Sequence, residues 1–213
     1  TRFLALVSHV GTGMVRRALH LLNCVPVVSG NIGAFRADAL LSVSPGIGPL
    51  RTDTIGEDLE LTWRLRLAGW RVAFQPDAIV YAESPSTLAG LWKQRVRWAR
   101  GLLQGLRIHQ AAVGSSQYGL FGYFLAYQVI AAVLVPAVQL IAASAAMAVL
   151  TKHLLPAGTL VHLLTIGLLI SGIIATYAIV LDDAESHLRY LWALPLWPLY
   201  SLGTSAAMVR ALF

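Results

Sequence analysis

Residues 88–107 read Leu88-Ala-Gly-Leu-Trp92-Lys93-Gln94-Arg95-Val-Arg97-Trp98-Ala-Arg100-Gly-Leu-Leu-Gln104-Gly-Leu-Arg107, and this stretch decides how the rest of the chain is read. Its periodicity is helical and three-faced. Lys93, Arg97, Arg100, Gln104 and Arg107 form a polar, mostly basic stripe, and Leu88, Trp92, Ala99, Leu102, Leu103 and Leu106 an apolar one. Gln94, Trp98, Gly101 and Gly105 lie between them. Ser84-Pro85-Ser86 opens the helix, which the pattern extends from about Thr87 to His109. A basic amphipathic helix directly ahead of an apolar segment is expected to lie along a membrane surface.

Downstream, the sequence is apolar. Stretches at about 120–150, 155–181 and 190–213 are each long enough to cross a bilayer, which takes about 20 apolar residues. They are separated by Thr151-Lys152-His153 and by the polar run Asp182 to Arg189. Tyr118, Tyr123, Tyr127, Tyr190, Trp192, Trp197 and Tyr200 gather near the ends, as interfacial aromatics do. Pro195 and Pro198 are expected to kink the third span. Lys93 to Arg107 precede the first span, so residues 1–117 are expected on the cytoplasmic side, the 151–154 loop outside and the 182–189 loop inside.

The charge distribution draws the same boundary. Of 213 residues only 12% are charged, and mean hydropathy is +0.67. Thirteen of the sixteen Lys/Arg and seven of the ten Asp/Glu fall in residues 1–117. The basic residues precede a span and form no groove, which argues against a nucleic-acid partner. The single cysteine, Cys24, excludes an internal disulfide, and six scattered histidines with no helical i, i+4 pair give no zinc pattern. No signal peptide is read at the first residues, and the chain is expected to start mid-protein.

Upstream, residues 1–22 carry Phe3, Leu4, Val7, Val10, Met14, Ala18 and Leu22 at helical spacing. Cys24–Val28 reads as a strand, Ser29-Gly30-Asn31-Ile32-Gly33 as a turn, and Ala34-Phe35-Arg36 as an extended segment, with Arg36 structural. After a Pro/Gly-rich loop at Ser44–Pro49, a helix is expected from Glu57 to Ala68. Asp53 or Thr54 would cap it, Glu57, Asp58 and Glu60 occupy its first turn, Glu60 and Arg64 pair at i, i+4, and Gly69 ends it. Arg71–Gln75 and Ala78–Ala82 read as strands.

Two strings in this frame carry a resemblance: Thr54-Ile-Gly-Glu57-Asp58 at a helix start, and Gln94-Arg95-Val96-Arg97-Trp98, a Q-x-x-R-W pattern. With Ser29-Gly30 and Gly33-Ala34-Phe35-Arg36 ahead of them, residues 1–110 resemble the second half of processive family 2 glycosyltransferases. Poly-N-acetylglucosamine synthases are the most similar, with hyaluronan, chitin and cellulose synthases as relatives. The resemblance implies an α/β GT-A-type catalytic domain, its C-terminal half at residues 1–85. An interface helix at 86–117 and a transmembrane region at 118–213 would follow. It implies inverting transfer from a UDP-sugar to a growing polysaccharide, in the cell membrane, with an accessory membrane subunit possible.

On this resemblance Asp58 is the general base. A helix N-terminus favours negative charge there, and plain capping is the alternative. Glu57, Ser29, Gly30, Gln94, Arg97 and Trp98 are the substrate-binding candidates. Gln94, Arg97 and Trp98 share a helix face; Arg97 would meet the UDP diphosphate with its planar fork, and Trp98 would stack on a sugar ring. Lipid headgroups and an aromatic belt are the alternative for this helix, one that suits Trp92 and Arg95 better. The family's Asp-x-Asp is not in the sequence, so Mg2+ or Mn2+ is expected on residues outside it, and this chain alone is expected to be inactive. A non-processive, ceramide-type glycolipid transferase and a non-enzymatic membrane subunit with a transferase remnant are the competing readings.

Overall fold

The computed structural model describes residues 2–44, 48–152 and 156–213. Residues 45–47, within the Pro/Gly loop, and 153–155, at the expected outside turn and the start of the second span, lie outside the described residues.

The first helix runs as α1 (Arg2–Ser8), a π-helical turn (His9–Met14) and α2 (Val15–Leu21). Leu6 is its fully buried residue, packed with Ala175, Ile179, Ala193 and Leu194. Gly11 and Gly13 lie within the π turn, a place where helices commonly bulge.

Cys24–Val28 is extended but is not a strand, because its neighbour is a helix. Trp63 Nε1 donates to the Pro26 carbonyl at 2.9 Å, and the Val28 N–H donates to Thr62 Oγ1 at 2.8 Å. Side chains thus satisfy backbone groups that a neighbouring strand would otherwise pair. The same holds at Arg71–Gln75, where the Phe74 N–H donates to His20 Nδ1 at 3.1 Å. Ala78–Ala82 is exposed throughout, Tyr81 at 96%. No strand forms among the described residues: what is described is helical, and the expected α/β layering is not seen in it.

After the short α3 (Ala37–Ser42) comes α4 (Glu57–Leu67), with Gly56 at its N-cap position and no side-chain cap. Asp53 is instead held by Arg51, whose hydrogen bonds pull its carboxyl to about 2. Thr54 Oγ1 accepts from the Gly56 N–H and bonds to Gln104. Gly69, at φ +90°, ends the helix in a conformation open to glycine. Glu60 is 0% exposed and is gripped by the Arg64 guanidinium through both oxygens, with His109 Nε2 at 3.2 Å. Burial would raise its pKa, but the hydrogen bonds from His109 and Arg64 prevail and hold it below the ordinary carboxylate range.

α5 (Leu88–Ile108) begins where expected, with Thr87 Oγ1 accepting from the Gly90 N–H at 3.0 Å. α6 (Gly119–Val129), a second π turn (Ile130–Leu134) and α7 (Val135–Thr151) form one long helix. Pro136 explains the bulge: it has no N–H for the α-helical ladder. α8 (Ala157–Leu181) follows. Ser116–Thr151 and Val161–Leu181 are long and apolar enough to cross a membrane, and most of their side chains face outward.

The expected third span is divided. A 3-10 segment (Glu185–Leu196) containing Pro195 leads into α9 (Trp197–Leu212), which has Pro198 in its first turn. Its 16 residues give roughly 24 Å of helix against the roughly 30 Å of a hydrocarbon core. α9 packs along α5 and α7, where Gln139 hydrogen-bonds to Ser201 and Ser205. One core joins the basic and apolar parts. Trp63 of α4, Leu106 of α5 and Phe121 and Leu125 of α6 are buried together, the Trp63 and Phe121 rings edge to face at 6.5 Å.

Candidate active site

Asp58 stands in the first turn of α4, its carboxylate half-buried and held at both oxygens. The Leu59 N–H donates to Oδ1 at 2.8 Å and the Gly30 N–H to Oδ2 at 3.0 Å. The second bond brings the Ser29–Gly30 turn, twenty-eight residues away, against Asp58. A Cβ on Gly30 would lie 3.4 Å from Asp58 Oδ2, in ordinary van der Waals contact with it. Arg16 of α2 is within electrostatic reach of Asp58. Burial lowers the Arg16 pKa, and the Asp58 charge partly restores it. Glu57 is half-buried beside Asp58, and Ser29 accepts from the Ile32 N–H through its carbonyl.

The loop ahead of Asp58 sits directly on α5. A Cβ on Gly101 would come within 3.1 Å of Gly56 Cα, so backbone meets backbone there. Gly105 faces Leu59 and Trp63, and Gln104 Oε1 accepts from the Ile55 N–H at 3.0 Å. The small and polar positions of α5 are therefore the docking face for the Thr54–Asp58 turn. In the sequence pattern Gly101 and Gly105 lie between the two stripes and Gln104 on the basic one, with no role expected of any of them; the two glycines four apart were the available signal.

One turn towards the N-terminus of α5, Arg97 is exposed and lines a cleft of about 310 Å3 with Ile55, Trp92, Lys93, Arg100 and Arg210. Arg210 comes from the last turn of α9 and was not anticipated. Trp98 is 52% exposed and carries the Arg95 guanidinium over its ring at 4.2 Å. Arg95 also lies over Tyr200 at 5.5 Å, and its Nε is buried with no hydrogen-bond partner among the described residues. Arg95 thus packs as a brace between Trp98 and Tyr200 of α9. Gln94 is half-buried on the same helix. Arg36 pairs with Asp38 at the surface.

The sequence profile of glycosyl transferase family group 2 matches residues 5–203. The chain belongs to that family. An 89-residue stretch of the chain is 40% identical to poly-beta-1,6-N-acetyl-D-glucosamine synthase of Staphylococcus aureus strain COL. It is 37% identical to the enzyme of that name from Staphylococcus epidermidis strain RP62A. Each alignment covers 42% of this chain and 21% of the relative, so the stretch spans about a fifth of the length of the curated relatives it matches. No solved structure matches the chain. Among the described residues no three His, Cys, Asp or Glu side chains converge to hold a metal ion.

Proposed function

We propose that the chain is part of a membrane-embedded, inverting glycosyltransferase that extends a β-linked N-acetylglucosamine-type polysaccharide from a UDP-sugar. The observation that carries this reading is the Gly30 N–H on Asp58 Oδ2 at 3.0 Å, which joins the two stretches assigned to the acceptor and to the base. The relatives' activity and the family's GT-A architecture support it, with the extended segments at 24–28 and 71–75 as candidate strands of a larger sheet. In this reading the Asp58 carboxylate takes the acceptor hydroxyl's proton as that oxygen attacks the anomeric carbon. The bond from that carbon to the UDP oxygen breaks on the opposite face. Arg97 meets the charge that develops on the diphosphate, and Trp98, braced by Arg95, offers its face to an acceptor ring.

The described residues do not fit a divalent cation, and Mg2+ or Mn2+ would be held by residues outside this sequence. Residues 116–151 and 157–181 would cross the inner or plasma membrane with the catalytic part cytoplasmic, and α9 would line the bundle at the interface beside α5.

The test is Asp58→Asn in the full-length enzyme, with UDP release and UDP binding measured together. Release should fall by roughly 10²–10⁴-fold, the range of general-base contributions, while UDP binding stays within about twofold. A variant that keeps more than about a tenth of the rate, well outside that range, would reduce Asp58 to a turn residue.

A further inference from the structure

Away from Asp58, the π turn of the first helix crosses the loop that follows α8. His9 Nδ1 lies 2.7 Å from Asp182 Oδ2, and His9 Nε2 lies 2.8 Å from His187 Nδ1. Arg17 donates to the other Asp182 oxygen. Gly13 permits the approach, since a Cβ there would run into the Asp182 carboxylate. Two polar side chains from one end of the chain thus meet two from a loop about 165 to 178 residues away.

The charged and titratable surroundings are few. His9 faces Asp182, Arg17 behind it, and His187. His187 faces His9, Arg189 and the Tyr190 ring at 5.0 Å, with Arg2 over that ring at 6.0 Å. Asp183 and Glu185, in the same loop, bond to neither imidazole among the described contacts.

Proton counting limits the states of this chain of bonds. With Asp182 ionised, His9 Nδ1 carries the hydrogen it donates, so neutral His9 offers Nε2 as an acceptor and His187 Nδ1–H fills it. One further proton is tolerated: His9 then donates from both nitrogens, and His187 accepts at Nδ1 by carrying its hydrogen on Nε2. A second proton is not. Two imidazolium rings would point N–H at N–H across 2.8 Å, with like charges added.

We propose that this junction is a proton-operated latch, closed while the two imidazoles share at most one added proton and opened when both are charged. Burial lowers the His187 pKa first, and the neighbouring His9 and Arg189 lower it further. The sign follows: a histidine whose closed-state pKa is depressed favours the open state as pH falls below its ordinary value near 6.5. The latch bears on the candidate active site through α2. Arg17 grips Asp182 and the adjacent Arg16 feels the Asp58 charge, while the chain beyond α2 carries Gly30 onto Asp58. Opening would loosen that segment; this consequence rests on reading Asp58 as the base.

The test uses the full-length protein in lipid nanodiscs. Hydrogen–deuterium exchange at residues 9–14 and 182–187 is followed from pH 8 to 5, corrected for the intrinsic pH dependence of exchange. Protection in the unmodified protein should fall by up to about tenfold per pH unit below about 6.5. His187→Asn keeps an N–H to donate to His9 but takes no proton, and should hold protection flat; His187→Gln serves as the second variant. A pH-independent protection in the unmodified protein, or a step that survives in both variants, overturns the latch. UDP release on the same samples separates the two ideas. An exchange step without a matching step in release breaks the link to Asp58. An exchange step in a protein that releases no UDP at any pH removes the base reading and leaves the latch standing.

Discussion

The two ends of α5 live in different worlds. From Gly101 to Ile108 the helix is locked: glycine backbone lies on Gly56, Gly105 on Trp63, Leu106 is buried, and the following His109 reaches Glu60. From Trp92 to Trp98 the same helix is open, with Arg97 in a cleft and both tryptophans substantially exposed. One helix therefore carries an anchored end and, on the proposed function, a working end, rigidly coupled because no bulge or proline separates them. The lesson is that the geometry at Arg97 and Trp98 is held by residues a turn or two away. Substitutions at the anchored end should cost stability, and those at the working end should cost activity.

The largest expected effect tests the anchor. Glu60→Ala leaves Arg64 and His109 without their buried carboxylate and should destabilise the protein by about 3–5 kcal/mol, read as a lower midpoint in thermal unfolding. Because the native Glu60 pKa is depressed, its contribution is present above the ordinary carboxylate range and fades as pH falls below about 4.3. The unmodified protein should lose stability there, and Glu60→Gln should lose less over the same interval.

Next comes the working end. Arg97→Lys keeps the charge but loses the fork, and with it about one charged hydrogen bond worth about 1.5–3 kcal/mol. UDP release should fall about 10- to 100-fold by the same measure, with an unchanged unfolding midpoint. Arg95→Lys reports on the brace instead, and its loss should be in acceptor KM through Trp98. Equal effects at the two positions would mean that the open end has no preferred face.

Gly101→Ala returns to the anchor at smaller scale. Its Cβ must push apart two backbones, at about 1–3 kcal/mol, and part of the cost should appear as lost activity because the Thr54–Asp58 turn moves with it. Thr87→Ala, which removes only the cap of the open end, should lower stability by about 1 kcal/mol and mark the small end of the series.

Much of this arrangement was written in local patterns. The bounds of α4 and α5, the Glu60–Arg64 pair and the Gly69 stop all follow from spacing within one helix, which is a short-range property. The expected strands at 24–28, 71–75 and 78–82 show where local reading fails. Those residues have β-favouring side chains, yet a strand exists only with a paired backbone, and helices supply none. The choice of Gly56 over Asp53 or Thr54 as the N-cap was set by contacts with Arg51 and Gln104, groups that no window around α4 could contain for both. The placements of Arg210 beside Arg97, and of His9 beside His187, depend on tertiary packing across most of the chain.

Gln139 has a consequence of another kind. Its amide donates to Ser201 and accepts from Ser205, and it stands in a largely apolar helix. In a hydrocarbon environment that amide cannot remain alone, since nothing in lipid offers it a partner. A helix as short as α9 is a poor candidate for independent insertion, whereas the long α6–α7 helix is a good one. In a bilayer the long helix would therefore present α9 with a polar docking point, its register set by two serines four residues apart.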